Sequence, residues 1–350
     1  MKRSWLALLF VVGLALTACQ PPPPATPPAR PSPTAAPAPI GVLFTRPATP
    51  TRLHGGADET VAAALDRARL TIDAALYDLD LWSIRDALLR AARRGVKVRL
   101  VAESDHLGRP EFQALQRAGI PIVGDHRQAL MHNKFIIIDR YEVWTGSMNY
   151  TLNGVYRNNN DLVRLVSPRI AADYTAEFEE MFTGHRFGAA SPANTPYPLV
   201  SLDGIPVEIY FAPEDHPREH YLPVVAQAQK SILVMAFNLT DDDLARLLIA
   251  KAHQGIRVQG VLDERQAATS RGNDYETLRR AGLDVHLDGN PYAMHHKVII
   301  VDGKTVIFGS YNFTRSAETR NDENLLIVHD PLLAARFGEE FRRVYAAAKP

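Results

Sequence analysis

One cysteine, Cys19, stands in 350 residues, so no intrachain disulfide can form. Neither sign of charge prevails: 39 lysines and arginines face 39 acids. Without a basic excess the sequence lacks the usual drive for non-specific DNA binding, although a local basic cleft can sit inside a neutral total. The apolar run near the N-terminus, Trp5 to Leu16, holds twelve residues. About 20 are needed to span the hydrocarbon core of a bilayer, so it is too short to cross one. What remains is ordinary for a globular protein, with 46% hydrophobic and 22% charged residues. Such a length accommodates two domains, or one large domain built from two halves.

Lys2 and Arg3 precede the short apolar run, which ends in Leu16-Thr17-Ala18-Cys19. A basic start, a short apolar stretch and small residues at its end mark a secretory signal. The ending resembles the lipobox of bacterial lipoproteins, which implies cleavage before Cys19 and a lipid on its sulfur. Residues 20–40, "QPPPPATPPARPSPTAAPAPI", contain ten prolines and one charge. Proline fixes φ and removes backbone donors, so this stretch reads as an extended tether without a core. The expectation is an exported, membrane-anchored lipoprotein, facing the periplasm or the cell surface.

The body is written twice. "MHNKFIIID" from Met131 returns as "MHHKVIIVD" from Met294, an offset of 163 positions. "GSMN" at Gly146 returns as "GSYN" at Gly309, and "RNNNDLVRLV" from Arg157 as "RNDENLLIV" from Arg320, at the same offset. Further upstream the offset becomes 160, pairing "RRGVKVRLVAE" from Arg93 with "HQGIRVQGVLD" from His253, and Tyr77 with Phe237. One loop that is three residues longer explains the change. The expected halves are residues 41–190 and 200–350, joined by a linker at 191–199. Each alternates apolar strands with amphipathic helices, which predicts an α/β fold with a largely parallel or mixed sheet.

Residues i and i+2 of a strand share a face, so His132 projects with Lys134, and His295 with Lys297. Each pair enters an apolar strand, and Asn149 and Asn312 close the next strand in Gly-Ser-x-Asn. An imidazole, an ammonium, an amide and the hydroxyls of Ser147 and Ser310 suit an anionic oxygen cluster such as a phosphate. Clustered partners for a metal are missing, and an adjacent lysine repels cations, so no metal is expected.

His-x-Lys, four residues and Asp, followed by Gly-Ser-x-Asn, resembles the phospholipase D superfamily. Here the pattern comprises His132, Lys134, Asp139 and Gly146–Asn149, then His295, Lys297, Asp302 and Gly309–Asn312. The resemblance implies two α-β-α sandwich halves about a pseudo-twofold axis, with both His-Lys pairs in one cleft of a monomer. It implies a phosphohistidine mechanism without cofactor, in which one histidine attacks phosphorus and the other serves as acid and base. It also implies an acid downstream that orients the histidine of the opposite half. Glu323 occupies that position in the second half, and Asn160 its equivalent in the first, with Asp161 next to it. A carboxylate stabilises an imidazolium whereas an amide only orients it. Crossed pairing therefore makes His132 the nucleophile and His295 the acid/base, with the roles exchanged if Asp161 supplies the carboxylate. Asp139 and Asp302 fall off the His-Lys face at hairpin turns, where aspartate is favoured for backbone reasons.

The expected activity is a phospholipase D acting on glycerophospholipids at a membrane surface, with transphosphatidylation as an extension. Alternatives are a non-specific nuclease of the same superfamily, acting on nucleic acid, or a phosphatidyltransferase resembling cardiolipin synthase. A non-catalytic binder of lipid or polyanion is disfavoured because neither His-Lys pair is degenerate. The loops Ser104–Pro110 and Gln266–Asp274 are expected to rim the cleft, with Trp82 and Tyr292 as interfacial aromatics.

Overall fold

The structure, a computed structural model, describes residues 38–47 and 53–349. The expected signal, Cys19 and the proline-rich stretch up to Pro37 lie outside the described residues. No helix among the described residues is long and apolar enough to cross a membrane.

The first half builds a seven-stranded sheet from β1 (Ile40–Phe44), β2 (Thr71–Leu76), β3 (Lys97–Ala102), β4 (Ile122–Gly124), β5 (Lys134–Ile138), β6 (Glu142–Gly146) and β7 (Asp161–Val166). The second builds an eight-stranded sheet from β8 (Leu199–Leu202), β9 (Ile205–Ala212), β10 (Ser231–Ala236), β11 (Arg257–Leu262), β12 (Asp284–Leu287), β13 (Lys297–Val301), β14 (Thr305–Gly309) and β15 (Glu323–Val328). The strand orders are β1-β7-β6-β5-β2-β3-β4 and β12-β11-β10-β13-β14-β15-β9-β8. They coincide strand for strand when read in the same direction, apart from the extra edge strand β8. Each sheet is mixed: β2, β3 and β4 run parallel, as do β10, β11 and β12, while the hairpin strands run antiparallel to them.

The continuously apolar runs are explained by burial on two faces. In β5, Phe135 and Ile137 face a core between the sheets, while Ile136 and Ile138 face the first half's own helices. In β13, Val298 and Ile300 join that shared core, and Ile299 and Val301 face helices of the second half. The shared core also takes Tyr174 and Phe178 from the helix Pro168–Phe182, and Phe337 and Phe341 from its counterpart Pro331–Ala346. Each large apolar side chain buried there contributes about 1.5–3 kcal/mol. The layers fuse the two copies into one body.

The hairpins turn at Asp139-Arg140 and Asp302-Gly303, all four at positive φ. The Asp139 carboxylate accepts from the backbone N–H groups of Arg69, Leu70 and Thr71 at 2.7–3.2 Å. Asp302 does the same for Gln229, Lys230 and Ser231. Both aspartates thus clamp the start of a neighbouring strand, about 16 Å along the strand from the lysines.

Candidate active site

The peptide that precedes each catalytic-type strand crosses to the other half. His132 N donates to Asp322 O and His295 N to Asn159 O, both at 2.9 Å. These matched bonds set Met131 beside Asp322 and Met294 beside Asn159 as isolated parallel bridges. They carry each histidine to the end of the other half's β7 or β15. There His132 Nδ1 meets Glu323 Oε2 at 2.7 Å, and His295 Nδ1 meets Asn160 Oδ1 at 2.9 Å and Ser147 O at 3.0 Å. A carboxylate and a carbonyl can only accept, so both Nδ1 atoms carry hydrogen and both Nε2 lone pairs are left free.

The lysines follow the strand rule. Lys134 Nζ donates to His132 O at 2.6 Å, and Lys297 Nζ to His295 O at 2.7 Å. Lys134 and His132 share the Tyr77 ring, at 4.8 and 4.9 Å from its centroid. Lys297 and His295 share the Phe237 ring, at 4.6 Å each. All four groups are buried.

Burial depresses the His132 imidazole to about 4, against the pull of Glu323, with Lys134 and Lys297 adding to the fall. Burial also takes the Lys134 ammonium down to about 7. His295 and Lys297 lie well below their usual values, again chiefly through burial. Lys297, Lys134 and His132 repel charge on His295, and Lys134 repels charge on Lys297. Groups from both halves therefore feel one another across a single site. Burial pushes the Glu323 carboxyl up, yet His132, Lys134 and the Ser310 hydroxyl bring it below the ordinary range. A site that penalises its own positive charge is prepared for an anion.

The motif serines hold the orienting groups. Ser310 Oγ donates to Glu323 Oε2 at 2.8 Å, and Ser147 Oγ lies 2.9 Å from Asn160 Oδ1 and from Asp161 Oδ1. Asn149 and Asn312 each leave a buried side-chain oxygen without a protein partner, in matching positions. Orphaned buried polar atoms are rare enough to point to a ligand or water. Asp161 does not reach His295. Its Oδ1 lies 2.8 Å from Nδ1 of His296.

Several contributors lie outside the repeated motif. Tyr77 and Phe237 form the aromatic floors, and their alignment at offset 160 is the signal that marks them. Glu103 and Asp263 accept from Met131 N and Met294 N at 2.9 and 3.0 Å, fixing the residue before each histidine. They end the matched segments that begin at Arg93 and His253. His106, in the loop Ser104–Pro110, packs edge-on to Tyr77 with ring centroids 4.9 Å apart, which brings that loop to the site. Trp82 is 69% exposed, with Nε1 bonded to Glu111. Tyr292 is half-buried under the Arg157 guanidinium.

A family model described as "Cardiolipin synthase, PLD-like domain" matches residues 61–182 and again 221–345. The chain belongs to the phospholipase D-like family. A mitochondrial cardiolipin hydrolase of Chlamydomonas reinhardtii is 34% identical over 125 residues, 36% of this chain and 56% of that protein. This chain thus spans little more than half of that relative's length. A phospholipase D of Rickettsia prowazekii (strain Madrid E) is 30% identical over 168 residues, 48% of this chain and 82% of that protein. Both alignments have about the length of one repeat. The crystal structure of a phosphatidylserine synthase from Haemophilus influenzae Rd KW20 shares the fold, with a TM-score of 0.68 over 89% of this phospholipase D-like chain and 87% of that one, at 14% identity.

Proposed function

We propose that this chain is a phospholipase D that hydrolyses glycerophospholipids to phosphatidic acid through a phosphohistidine. The observation that carries the reading is the pair of free Nε2 lone pairs, each on a histidine held by the opposite half and flanked by a buried lysine. The His132 Nε2 forms a bond to phosphorus as the bond from phosphorus to the leaving alcohol oxygen breaks. That oxygen takes a proton from His295 Nε2, whose lone pair acquires it from solvent as the anionic diester binds and raises the ring's proton affinity. In the second step His295 takes a proton from water, the water oxygen bonds to phosphorus, and the phosphorus–nitrogen bond breaks. A lipid alcohol in place of water gives transphosphatidylation, the reaction type of a phosphatidyltransferase.

The assignment of roles follows from charge. A phosphorylated imidazole with hydrogen on Nδ1 stays cationic for the life of the intermediate, and the fixed Glu323 carboxylate stabilises it. His295 has only carbonyl-type acceptors, so its protonated form is a strong acid and suits a leaving alkoxide. Lys134 and Lys297, charged once phosphate enters, balance the equatorial oxygens.

The test incubates the chain with labelled phosphatidylcholine, cardiolipin and single-stranded DNA, with and without EDTA. Release of phosphatidic acid is the expected result, and acid-labile label on His132 after rapid quenching identifies the nucleophile. Cleavage of DNA without lipid turnover would replace this reading by a nuclease, and no turnover of any diester would replace it by a binding protein. Label on His295 alone would exchange the two roles.

The sequence of residues 1–40 supports a lipid on Cys19 and a tether that holds the cleft near a membrane surface. Incorporation of labelled fatty acid in a bacterial host, lost in Cys19→Ser, checks this. Because both half-sites come from one chain, the active species in this reading is a monomer, which light scattering at working concentration checks.

A further inference from the structure

The duplication supplies an internal comparison away from the reacting groups. Behind His295, the residue after it, His296, is fully buried between Asp161 and Glu340, at 2.8 and 3.2 Å. Glu340, on the helix Pro331–Ala346, also accepts from Arg343 and from Arg46. Three cationic side chains thus surround one buried carboxylate, which is held down to about 2 once burial is outweighed by His296 and Arg343.

The same place in the first half is built from the same backbone with the cations removed. At the constant offset of 163, Glu340 corresponds to Glu177, His296 to Asn133 and Arg343 to Glu180. Glu214, after β9, adds a third carboxylate. One oxygen from each of Glu177, Glu180 and Glu214 lies within 4.8 Å of the other two. Glu177 is 2% exposed and accepts from Asn133 Nδ2 at 2.9 Å. Glu180 is 9% exposed, and its Oε2 is buried without any partner, as is Oε2 of Glu214. The charges facing the cluster are few: Arg186 on the solvent side, His216 beside Glu214, and the acids Asp215 and Asp322, the latter paired to Arg127.

Three carboxylates cannot share a buried site as anions without a counter-charge. The second half neutralises its two carboxylates, Glu340 and Asp161, with His296 and Arg343; the first has put an asparagine and a further acid in their place. We propose that Glu177, Glu180 and Glu214 bind one calcium ion between the two halves. The donor set is all oxygen, which selects a hard cation over zinc or copper. An ion with bonds of about 2.3–2.6 Å reaches oxygens up to about 5 Å apart, the spacing this cluster allows. Asn133 connects the site to the catalytic strand, since it bonds Glu177 on one side and Asn324, the neighbour of Glu323, at 2.7 Å on the other. The ion takes no part in the reaction; it fixes the layer on which His132 and Lys134 stand.

The folded chain, freed of metal by chelation, is titrated with calcium chloride by calorimetry and by thermal melting, with magnesium chloride in parallel. The expected result is one calcium ion per chain with a dissociation constant below about 1 mM and a melting temperature that climbs with calcium concentration. Glu180→Gln combined with Glu214→Gln loses the binding isotherm and the climb. Glu180→Arg, which copies Arg343, melts near the calcium-loaded parent and no longer responds to calcium. The proposal falls if the parent neither binds calcium nor melts higher at about 10 mM, which would leave protons as the counter-charge. It also falls if the double variant keeps the calcium response, which would put the ion elsewhere. Neither readout involves substrate, so the outcome is independent of which diester the cleft cleaves.

Discussion

His132 and Glu323 are 191 positions apart, yet Nδ1 of one lies 2.7 Å from Oε2 of the other, both buried. The equivalent pair, His295 with Asn160, keeps the geometry at 2.9 Å and loses the charge. Replacing Glu323 by Gln keeps the shape and removes the anion. The expected outcome is a fall in kcat of about 10²–10⁴ with little change in KM, together with less trapped phosphoenzyme. An unchanged kcat would show that the carboxylate does not stabilise the charged ring.

The lysines predict a proton linkage. In the free site burial takes Lys134 down to about 7, so a substantial share of it is neutral near pH 7.5, and takes Lys297 well below its usual value. A bound anion raises both affinities for protons, so binding takes protons up and weakens as pH climbs above about 7. Sulfate, whose own charge is constant in this range, is the probe. Calorimetry in buffers of different ionisation enthalpy should show net proton uptake, and a zero slope across buffers would contradict it.

His296→Asn should be costly taken singly, because Asp161 and Glu340 lose a buried cation between them. A loss of about 3–5 kcal/mol is the expectation for breaking a buried ion pair. Adding Asp161→Asn rebuilds the neutral arrangement that Asn133 and Asn324 already use in the other half, and should recover at least half of the loss. Urea denaturation of the three chains measures the coupling.

Glycine is required at the head of each Gly-Ser-x-Asn segment. Gly309 has φ of +150°, and a Cβ there would meet the Asn324 carbonyl oxygen at 2.3 Å. Gly146 has φ of +146°, and a Cβ would meet the Asp161 oxygen at 2.6 Å. Gly309→Ala should destabilise by about 2–4 kcal/mol. Because Ser310 and Glu323 move with that strand pair, activity should fall further than the loss of folded protein explains. Equal losses in both would assign the glycine a purely structural part.

The hairpin strands and the duplicated polar letters were legible because they obey local rules. A run such as Phe135–Ile138 is apolar at every position only when both faces are covered, and a period of two puts His132 with Lys134. The duplicated alignment puts an acid and an amide at one repeat position, and the family resemblance implies their crossing to the opposite half's histidine. What stayed hidden depends on which distant backbone lies behind a residue. β1, Ile40–Phe44, straddles the boundary read between the proline-rich stretch and the first half, and it pairs with β7 across more than a hundred residues. Asp161 sits beside Asn160 in sequence, but the strand's alternation turns it to His296 and away from His295. Nothing local announces that Glu177, Glu180 and Glu214 converge, since two come from one helix and the third from a loop in the other half.

The bridges that swap His132 and His295 between halves give the fused chain a freedom that a pair of identical subunits lacks. In a symmetric assembly every substitution arrives twice, so both histidines must share one kind of partner. With both copies in a single gene, one seat could retain an acid while its twin became an amide, and nucleophile and proton donor could specialise separately.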